Sequence, residues 1–215
     1  MLELNDIHIE TAGRVLVQRL SARVAPGEVL AVMGESGSGK SSLLAYLCGT
    51  LAPGLIGRGE IRLFGAPIHS LPTARRRVAI LFQDDLLFPH LNVQDNLLFA
   101  LPAARVASRA ERLAKAHAAL AEAGLTGYGE RSVHTLSGGQ RARVSVLRAL
   151  LAEPRAVLLD EPFSRLDAAL RERFRSFVFE RLRTQGIPAV LVTHDPQDVP
   201  PGAQCIRLTN EAERV

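Results

Sequence analysis

Short apolar runs recur along the chain and are separated by stretches with helical spacing. Four runs rich in Val, Ile and Leu lack any alternation of polar and apolar positions, which predicts strands that are buried on both faces. These runs are residues 29–33, 78–82, 156–160 and 189–193. Because helical stretches lie between them, the pattern predicts an α/β fold with a parallel sheet.

The two remaining parts of the chain have different patterns. Residues 2–10, 15–24 and 59–64 are punctuated by glycine and proline turns, which predicts antiparallel strands flanking the first core strand. Residues 89–148 have helical spacing throughout, with helices expected over 93–100, over 103–123 and from about Ser137. We therefore predict a single domain over 1–215, with a core and β flank at 1–88 and 149–215 and a helical subdomain at about 89–148.

A glycine-rich stretch, GESGSGKSS at residues 34–42, follows the first core strand and precedes an apolar helix. It contains the full G-x-x-x-x-G-K-[ST] spacing, in which backbone N–H groups surround a phosphate, the lysine reaches the β and γ phosphates and the hydroxyl faces Mg²⁺. A simple tight turn is the alternative. The predicted phosphate contacts are Gly34, Glu35, Ser36, Gly37, Ser38, Gly39, Lys40, Ser41 and Ser42, with Ser41 also on the metal.

A second candidate anion site is LSGGQ at residues 136–140, which precedes an apolar helix. Ser137 has the side chain of a helix N-cap, and the two glycines leave backbone N–H groups uncovered, so this helix end can accept a phosphate. An ordinary capped helix is the alternative. The predicted contacts are Ser137, Gly138, Gly139 and Gln140.

The run AVLLDEP at residues 156–162 places two acids at the end of a buried strand. Ligands bind at the carboxyl ends of the strands in open α/β sheets. There Asp160 can hold Mg²⁺ through water, and Glu161 can polarise a water molecule that attacks the γ phosphate. Without the glycine-rich stretch, a solvated strand end would explain these acids equally well.

Composition restricts the function classes only weakly. The net charge is +4 and the pI is about 9.7, but the arginines are scattered, so the charge is interpreted mainly as a solvated surface. Cys48 and Cys205 have no metal-binding spacing and are expected to be buried or incidental thiols. No signal pattern and no apolar run approaching 18 residues is present, so a membrane role is expected to need a partner.

Together these motifs resemble the ATP-binding cassette ATPases over nearly all of the chain. The resemblance implies a P-loop NTPase (RecA-like) core, ATP and Mg²⁺ as cofactors, and ATP hydrolysis with Glu161, His194 and Gln83 as catalytic residues. It makes Gln83 the Q-loop glutamine, which senses Mg²⁺ and contacts a membrane partner, and His194 the switch histidine. Residues 164–167 resemble the D-loop, with Arg165 where the family usually has alanine.

Residues 81–102 resemble the importer cassettes most, in particular those of the Ynj-type bacterial importers. This resemblance implies a peripheral subunit at the cytoplasmic face of the bacterial inner membrane. The implied partners are a second copy arranged head to tail, an integral permease and, indirectly, a periplasmic solute-binding protein. The apolar residues that follow Gln83 are expected either to line a groove for a permease helix or to pack internally: Leu86, Leu87, Phe88 and Leu91.

Two other functions are compatible with these motifs, and the chain departs from the family pattern at one further point. An export cassette is an alternative, and an ATP-driven nucleic-acid clamp is a weaker one, since only the basic pI supports it and no heptad run is present. No nucleic acid is expected as a partner. The departure concerns binding of the base, which these ATPases usually stack on an aromatic residue in the loop after the first strand. No aromatic residue precedes Tyr46 in this chain, so we expect weak discrimination among purine nucleotides.

Overall fold

The structure is a computed structural model that describes residues 1–82, 84–102 and 108–209. The chain divides into two compact units, which are treated separately below. Unit 1 comprises Met1–Ile80, Arg155–Glu161 and Arg181–Val215, and unit 2 comprises Leu81–Pro154 and Pro162–Glu180. The expected α/β architecture is present among the described residues.

Unit 1 contains the predicted parallel sheet. Strand β3 (Val29–Gly34) pairs in parallel with both β8 (Ala189–Val192) and β9 (Gln204–Leu208), and β7 (Ala156–Asp160) pairs in parallel with β8. Three of the four strands expected to be buried on both faces are so, because β8 is buried at every position and β3 and β7 at all but their last. The expectation was wrong for β6 (Val78–Leu81), which lies at the edge of the sheet and is only half-buried over its first three positions. In spatial order, the strands are β6 (Val78–Leu81), β7 (Ala156–Asp160), β8 (Ala189–Val192), β3 (Val29–Gly34) and β9 (Gln204–Leu208).

The second sheet of unit 1 is antiparallel, as predicted. Its order is β2 (Arg14–Val24), β1 (Leu2–Thr11), β4 (Ile56–Leu63) and β5 (Ala66–Pro67). The register of β1 shifts between Leu4 and Ile7, where Asp6 has φ of 53°. The irregularity lets Leu4, Ile7 and Ile9 all face the core, which strict alternation would prevent.

Helix α1 (Lys40–Cys48) shares one apolar core with both sheets. Leu43 and Leu44 of the helix lie in the same cluster as Leu4 of the antiparallel sheet and Leu30 of the parallel sheet. Burial of this apolar surface fixes the helix, and therefore the loop that precedes it, against the sheets.

The C-terminal end of α1 is held by Arg76, in the short helix α2 (Thr73–Arg76). The guanidinium is almost fully buried and donates to the carbonyls of Tyr46, Leu47, His69 and Leu71. Gly49 ends α1 with a left-handed φ of 87°, and a Cβ there would lie 2.7 Å from the Arg76 guanidinium. Both residues are therefore required where the chain leaves the helix.

Unit 2 is helical, with α3 (Val93–Ala100), α4 (Arg109–Glu122), α5 (Gly138–Leu151) and the first part of α6 (Ala168–Thr184). Helix α3 packs on α4 and α5. The buried Asn96 side chain bonds the backbone of Phe88, Leu91 and Asn92, and this fixes the loop that leads into α3. Every helix among the described residues is too short or too polar to cross a lipid bilayer.

The predicted start of a helix at residue 103 was wrong. Ser108 has extended backbone angles and caps α4 in a reciprocal capping box with Glu111, so the helix begins at Arg109. Residues 103–107 lie outside the described part of the chain. Strand β9 was not predicted, and the two-residue strand β5 lies where only a turn was expected.

Candidate active site

The glycine-rich stretch connects β3 to α1 at the carboxyl end of the parallel sheet. Gly39 precedes α1 with a left-handed φ of 92°, and a Cβ there would lie 2.6 Å from the backbone oxygen of Leu16. A Cβ on Gly34 would lie 2.4 Å from the backbone oxygen of Leu208. The glycines are therefore needed for close backbone packing as well as for the turn.

Lys40 lies inside this loop. Its ammonium donates to the carbonyls of Gly34 at 2.8 Å and Glu35 at 2.6 Å, and the residue is buried. Arg14 of β2 donates to the carbonyl of Gly37 at 3.2 Å, a contact that the sequence did not predict. Two cationic groups thus contact the loop that was predicted to bind phosphate.

The other predicted phosphate contacts differ in their exposure to solvent. Glu35, Ser36, Gly37 and Ser41 are exposed, Gly34 and Ser42 are half-buried, and Ser38 and Gly39 are buried.

Asp160 ends β7 next to the loop. Ser41 Oγ donates to Asp160 Oδ2 at 3.4 Å. Burial raises the pKa of Asp160, as does the Glu161 charge, while the Ser41 hydrogen bond and the Lys40 charge act in the opposite direction. Such a carboxylate is stabilised by an added cation.

The hydroxyl and the carboxylate are oxygen donors, the ligand type that Mg²⁺ prefers. Within residues 1–82, 84–102 and 108–209, no group of three or more His, Cys, Asp or Glu side chains forms a ready-made metal site. The third predicted ligand, Gln83, lies outside the described residues. Ser41 and Asp160 fit an ion that takes its other ligands from phosphate and water.

Glu161 and His194 form an ion pair or hydrogen bond, with His194 Nδ1 at 3.1 Å from Glu161 Oε1. Glu161 has a positive φ of 48°, which is uncommon for a residue with a Cβ, and its N–H donates to the Val192 carbonyl at 3.0 Å. Such strain in the backbone is concentrated at functional sites.

The turn after β8 has its own support, which the sequence did not reveal. The buried Thr193 hydroxyl donates to Asp198 Oδ2 at 2.9 Å and accepts from the Asp195 N–H at 3.1 Å. These bonds fix the backbone on the C-terminal side of His194. The imidazole itself remains largely exposed, with 66% of its side-chain surface accessible.

Unit 2 contains the other candidate anion site, at the start of α5. Ser137 caps the helix by accepting from the Gln140 N–H at 3.3 Å, and the Gln140 side-chain oxygen accepts from the Ser137 N–H at 2.9 Å. The Gln140 amide also donates to Tyr128 Oη at 3.2 Å. The predicted N-cap is present, and the half-buried Gly138 and Gly139 form the first turn.

The phosphate loop, the strand-end acids and the parallel sheet define unit 1 as a P-loop nucleotide hydrolase core. The chain belongs to the ABC transporter family, whose model matches residues 17–164. The predicted family, the fold class and the ATP hydrolase activity are thereby confirmed.

Several named relatives cover most of the chain. It is 46% identical, over 99% of its length and 97% of the relative, to the uncharacterized ABC transporter ATP-binding protein YnjD of Escherichia coli (strain K12). It is 41% identical to the taurine import ATP-binding protein TauB of Pseudomonas putida, over 92% of this chain and 74% of that one. For the thiamine import ATP-binding protein ThiQ of Jannaschia sp. (strain CCS1), the identity is also 41%, over 92% and 84%.

The chain is also similar to solved structures of ATP-binding cassettes. A dimeric structure of the ATP-binding cassette MJ0796 in a post-hydrolysis state, bound to ADP and Pi, matches with a TM-score of 0.83 and 27% identity. The match covers 98% of this chain and 97% of the other. This agreement concerns the whole fold and not the phosphate loop alone.

Proposed function

We propose that the chain is the ATP-hydrolysing subunit of a bacterial ABC importer, folded as one cassette domain. The observation that carries the ATPase assignment is the grouping of Lys40, Asp160, Glu161 and His194 in unit 1. Import is supported by relatives named for the import of taurine and thiamine. The transported solute does not follow from these residues.

The proposed chemistry assigns one task to each side chain. Lys40 and the loop N–H groups would bind the phosphates, while Ser41 and Asp160 would hold Mg²⁺, which would neutralise phosphate charge. Glu161 accepts hydrogen bonds from the attacking water and orients it. His194 holds the Glu161 carboxylate, since the two side chains are 3.1 Å apart, and would hydrogen-bond the γ phosphate of a bound nucleotide.

A second copy of the chain completes each site in this proposal. Ser137, Gly138, Gly139 and Gln140 of one copy would bind the γ phosphate held by the loop of the other copy, in a head-to-tail pair. A two-fold interface of this kind generates two equivalent sites from one sequence. The similar cassette MJ0796 is dimeric with ADP and Pi bound, which supports a dimer.

We also propose that a permease helix docks on unit 2, which places the chain at the cytoplasmic face of the inner membrane. Leu86 is 57% exposed and Phe99 is 69% exposed, so both offer apolar surface to a partner. Phe88 is half-buried and packs edge to face on Phe99, with ring centroids 4.7 Å apart. An importer would also have a periplasmic solute-binding protein, which contacts the permease and not this chain.

The ATPase assignment is tested with Glu161→Gln, which keeps the size of the side chain and removes its charge. We expect near-normal ATP binding and a fall in kcat of about 10²- to 10⁴-fold. Glu130→Gln, which changes an exposed carboxylate of unit 2, is the matched control and should leave kcat unchanged. Near-normal hydrolysis by the Glu161 variant would contradict the assignment.

Transport direction needs a separate measurement. The chain should be co-purified from the bacterial membrane with its permease and reconstituted in vesicles with ATP on the side that the chain occupies. ATP-dependent movement of solute toward that side, stimulated by a periplasmic binding protein, is expected for an importer. Movement in the opposite direction would establish an exporter instead.

A further inference from the structure

The segment that follows Gln83 is joined by ion pairs to two other motifs of unit 2. We propose that Arg165 is a positioning residue for ATP hydrolysis, because it ties the acidic segment, residues 84–86, to the D-loop, residues 164–167, which packs against the signature motif, residues 136–140. The inference rests on the proposed function of the signature motif. It concerns the position at which this chain departs from the alanine usual in the family.

The ion pairs form a continuous chain of alternating charge. Arg165 Nη2 lies 2.7 Å from Asp84 Oδ1, and Arg165 Nη1 lies 3.7 Å from Asp85 Oδ1. Asp85 also accepts from Arg141 Nε at 2.8 Å. The Asp85 side chain is only 12% exposed, so water screens its interactions with the two guanidinium groups less than it would at the surface.

Helix α5 fixes the backbone of the acidic segment as well as its charges. The Ser145 hydroxyl donates to the Asp85 carbonyl at 2.8 Å, and Arg148 donates to the Leu86 carbonyl at 2.8 Å. Arg141 extends the connection, since it also donates to the carbonyl of Leu136 at 2.8 Å. A displacement of residues 84–86 is therefore transmitted to the first residue of the signature motif.

Arg165 brings the D-loop into the same network. A Cβ on Gly139 would lie 3.0 Å from Leu166 Cδ2 and 3.8 Å from the Arg165 carbonyl, so the D-loop backbone lies against the signature motif. The Arg165 side chain meanwhile reaches Asp84 and Asp85. The guanidinium of Arg165 therefore contacts the acidic segment, while the backbone of the same residue lies close to Gly139 of the signature motif.

Because the ion pair of Arg165 with Asp84 is exposed, its effect on turnover can be distinguished from its effect on folding stability. Asp84 is 78% exposed, and exposed ion pairs contribute little to folding stability. Small displacements of binding groups can nevertheless change turnover by up to about 10²-fold. Loss of Arg165 is therefore expected to change kcat much more than it changes the unfolding midpoint.

The experiment measures ATP hydrolysis by the full chain for Arg165→Ala, Asp84→Ala and the double variant. We expect kcat to fall about tenfold in Arg165→Ala, with an unchanged KM for ATP and an unchanged thermal midpoint. The double variant should be no worse than Arg165→Ala, because both changes remove the same link. Arg19→Ala, which breaks the exposed ion pair of Arg19 with Asp6 in unit 1, is the matched control and should leave kcat unchanged.

Three results would overturn the inference: an unchanged kcat in Arg165→Ala, additive losses in the double variant, or a loss of kcat matched by a large fall in the thermal midpoint. Wild-type protein and Glu161→Gln are measured in the same series. If the wild type hydrolyses ATP and Glu161→Gln does not, a negative result for Arg165 concerns the ionic link alone. If the wild type is inactive, or Glu161→Gln is fully active, the proposed function itself is wrong.

Discussion

Replacing Arg76 by alanine tests how the fold supports the phosphate loop from a distance. The guanidinium is 7% exposed and donates to four carbonyls at 2.8, 3.0, 2.9 and 2.5 Å, two of them at the end of α1. Burial lowers the pKa of Arg76, but the group remains charged at neutral pH, because an arginine pKa is so high. The alanine variant leaves all four carbonyls without this donor.

The expected cost follows from those contacts. A buried polar group that loses its partner costs about 1–3 kcal/mol, and the alanine variant deprives four carbonyls of the same donor. We take about 3–5 kcal/mol for Arg76→Ala, because part of each carbonyl becomes accessible to water once the side chain is gone. A chain of this size loses about 2–4 °C per kcal/mol, so the thermal midpoint should fall by about 6–20 °C.

Urea denaturation followed by circular dichroism measures this loss, with Arg75→Ala as the control. Arg75 lies next to Arg76 in α2 but is exposed, so its replacement should change the free energy of unfolding by no more than about 0.5 kcal/mol. Arg76→Lys should give an intermediate loss, since one ammonium cannot reproduce the planar fork of donors. A loss below about 1 kcal/mol for Arg76→Ala would refute the view that these bonds hold the end of α1.

Three other predictions concern the site and its partners. Because the folded-state pKa of Asp160 is raised, its charge destabilises the fold above that pKa, and the penalty disappears as the pH falls through it. Asp160→Asn should therefore raise the thermal midpoint of the nucleotide-free protein by a few degrees at neutral pH and less at acidic pH; an equal rise at both would contradict the pKa shift. Phe99→Ser should release the chain from its permease without loss of stability or ATP affinity, and Phe88→Ser should do the same at some cost in stability; normal co-purification of both would exclude the docking surface. Competition between ATP and GTP should show a preference below about a hundredfold, nearly 3 kcal/mol, and a larger one would reveal a base contact not recognised in the sequence.

The elements that the sequence predicted well are those with a strong local pattern. Strand β7 and helix α3 have the predicted bounds, because the apolar run of one and the helical spacing of the other are visible in the residues themselves. Strand β9 was missed because QCIRL is short, contains an arginine and a glutamine, and lies at the sheet edge, where burial is only partial. Its pairing with β3 is a tertiary contact without a local pattern.

In the candidate site, too, some features follow from a local sequence pattern and others depend on tertiary packing. The positions of the phosphate loop, the strand-end acids and the Ser137 cap follow from spacing alone, and the structure has a loop, a strand end and an N-cap at these positions. The positive φ of Glu161 and the contact of Arg14 with Gly37 depend on how distant segments pack, so no local pattern predicts them. The roles of the site residues stay predictions, and Gln83 lies outside the described residues.

The cap of α5 has a consequence for how a serine can perform two tasks at once. A hydroxyl has two lone pairs and one proton, and Ser137 uses a lone pair to accept the Gln140 N–H. Its proton remains available to an anion that arrives at the helix end, so binding need not undo the cap. Aspartate could supply the acceptor but has no proton to donate and repels an anion, while alanine supplies neither. A hydroxyl side chain can therefore cap the helix and donate to an anion through a single oxygen atom.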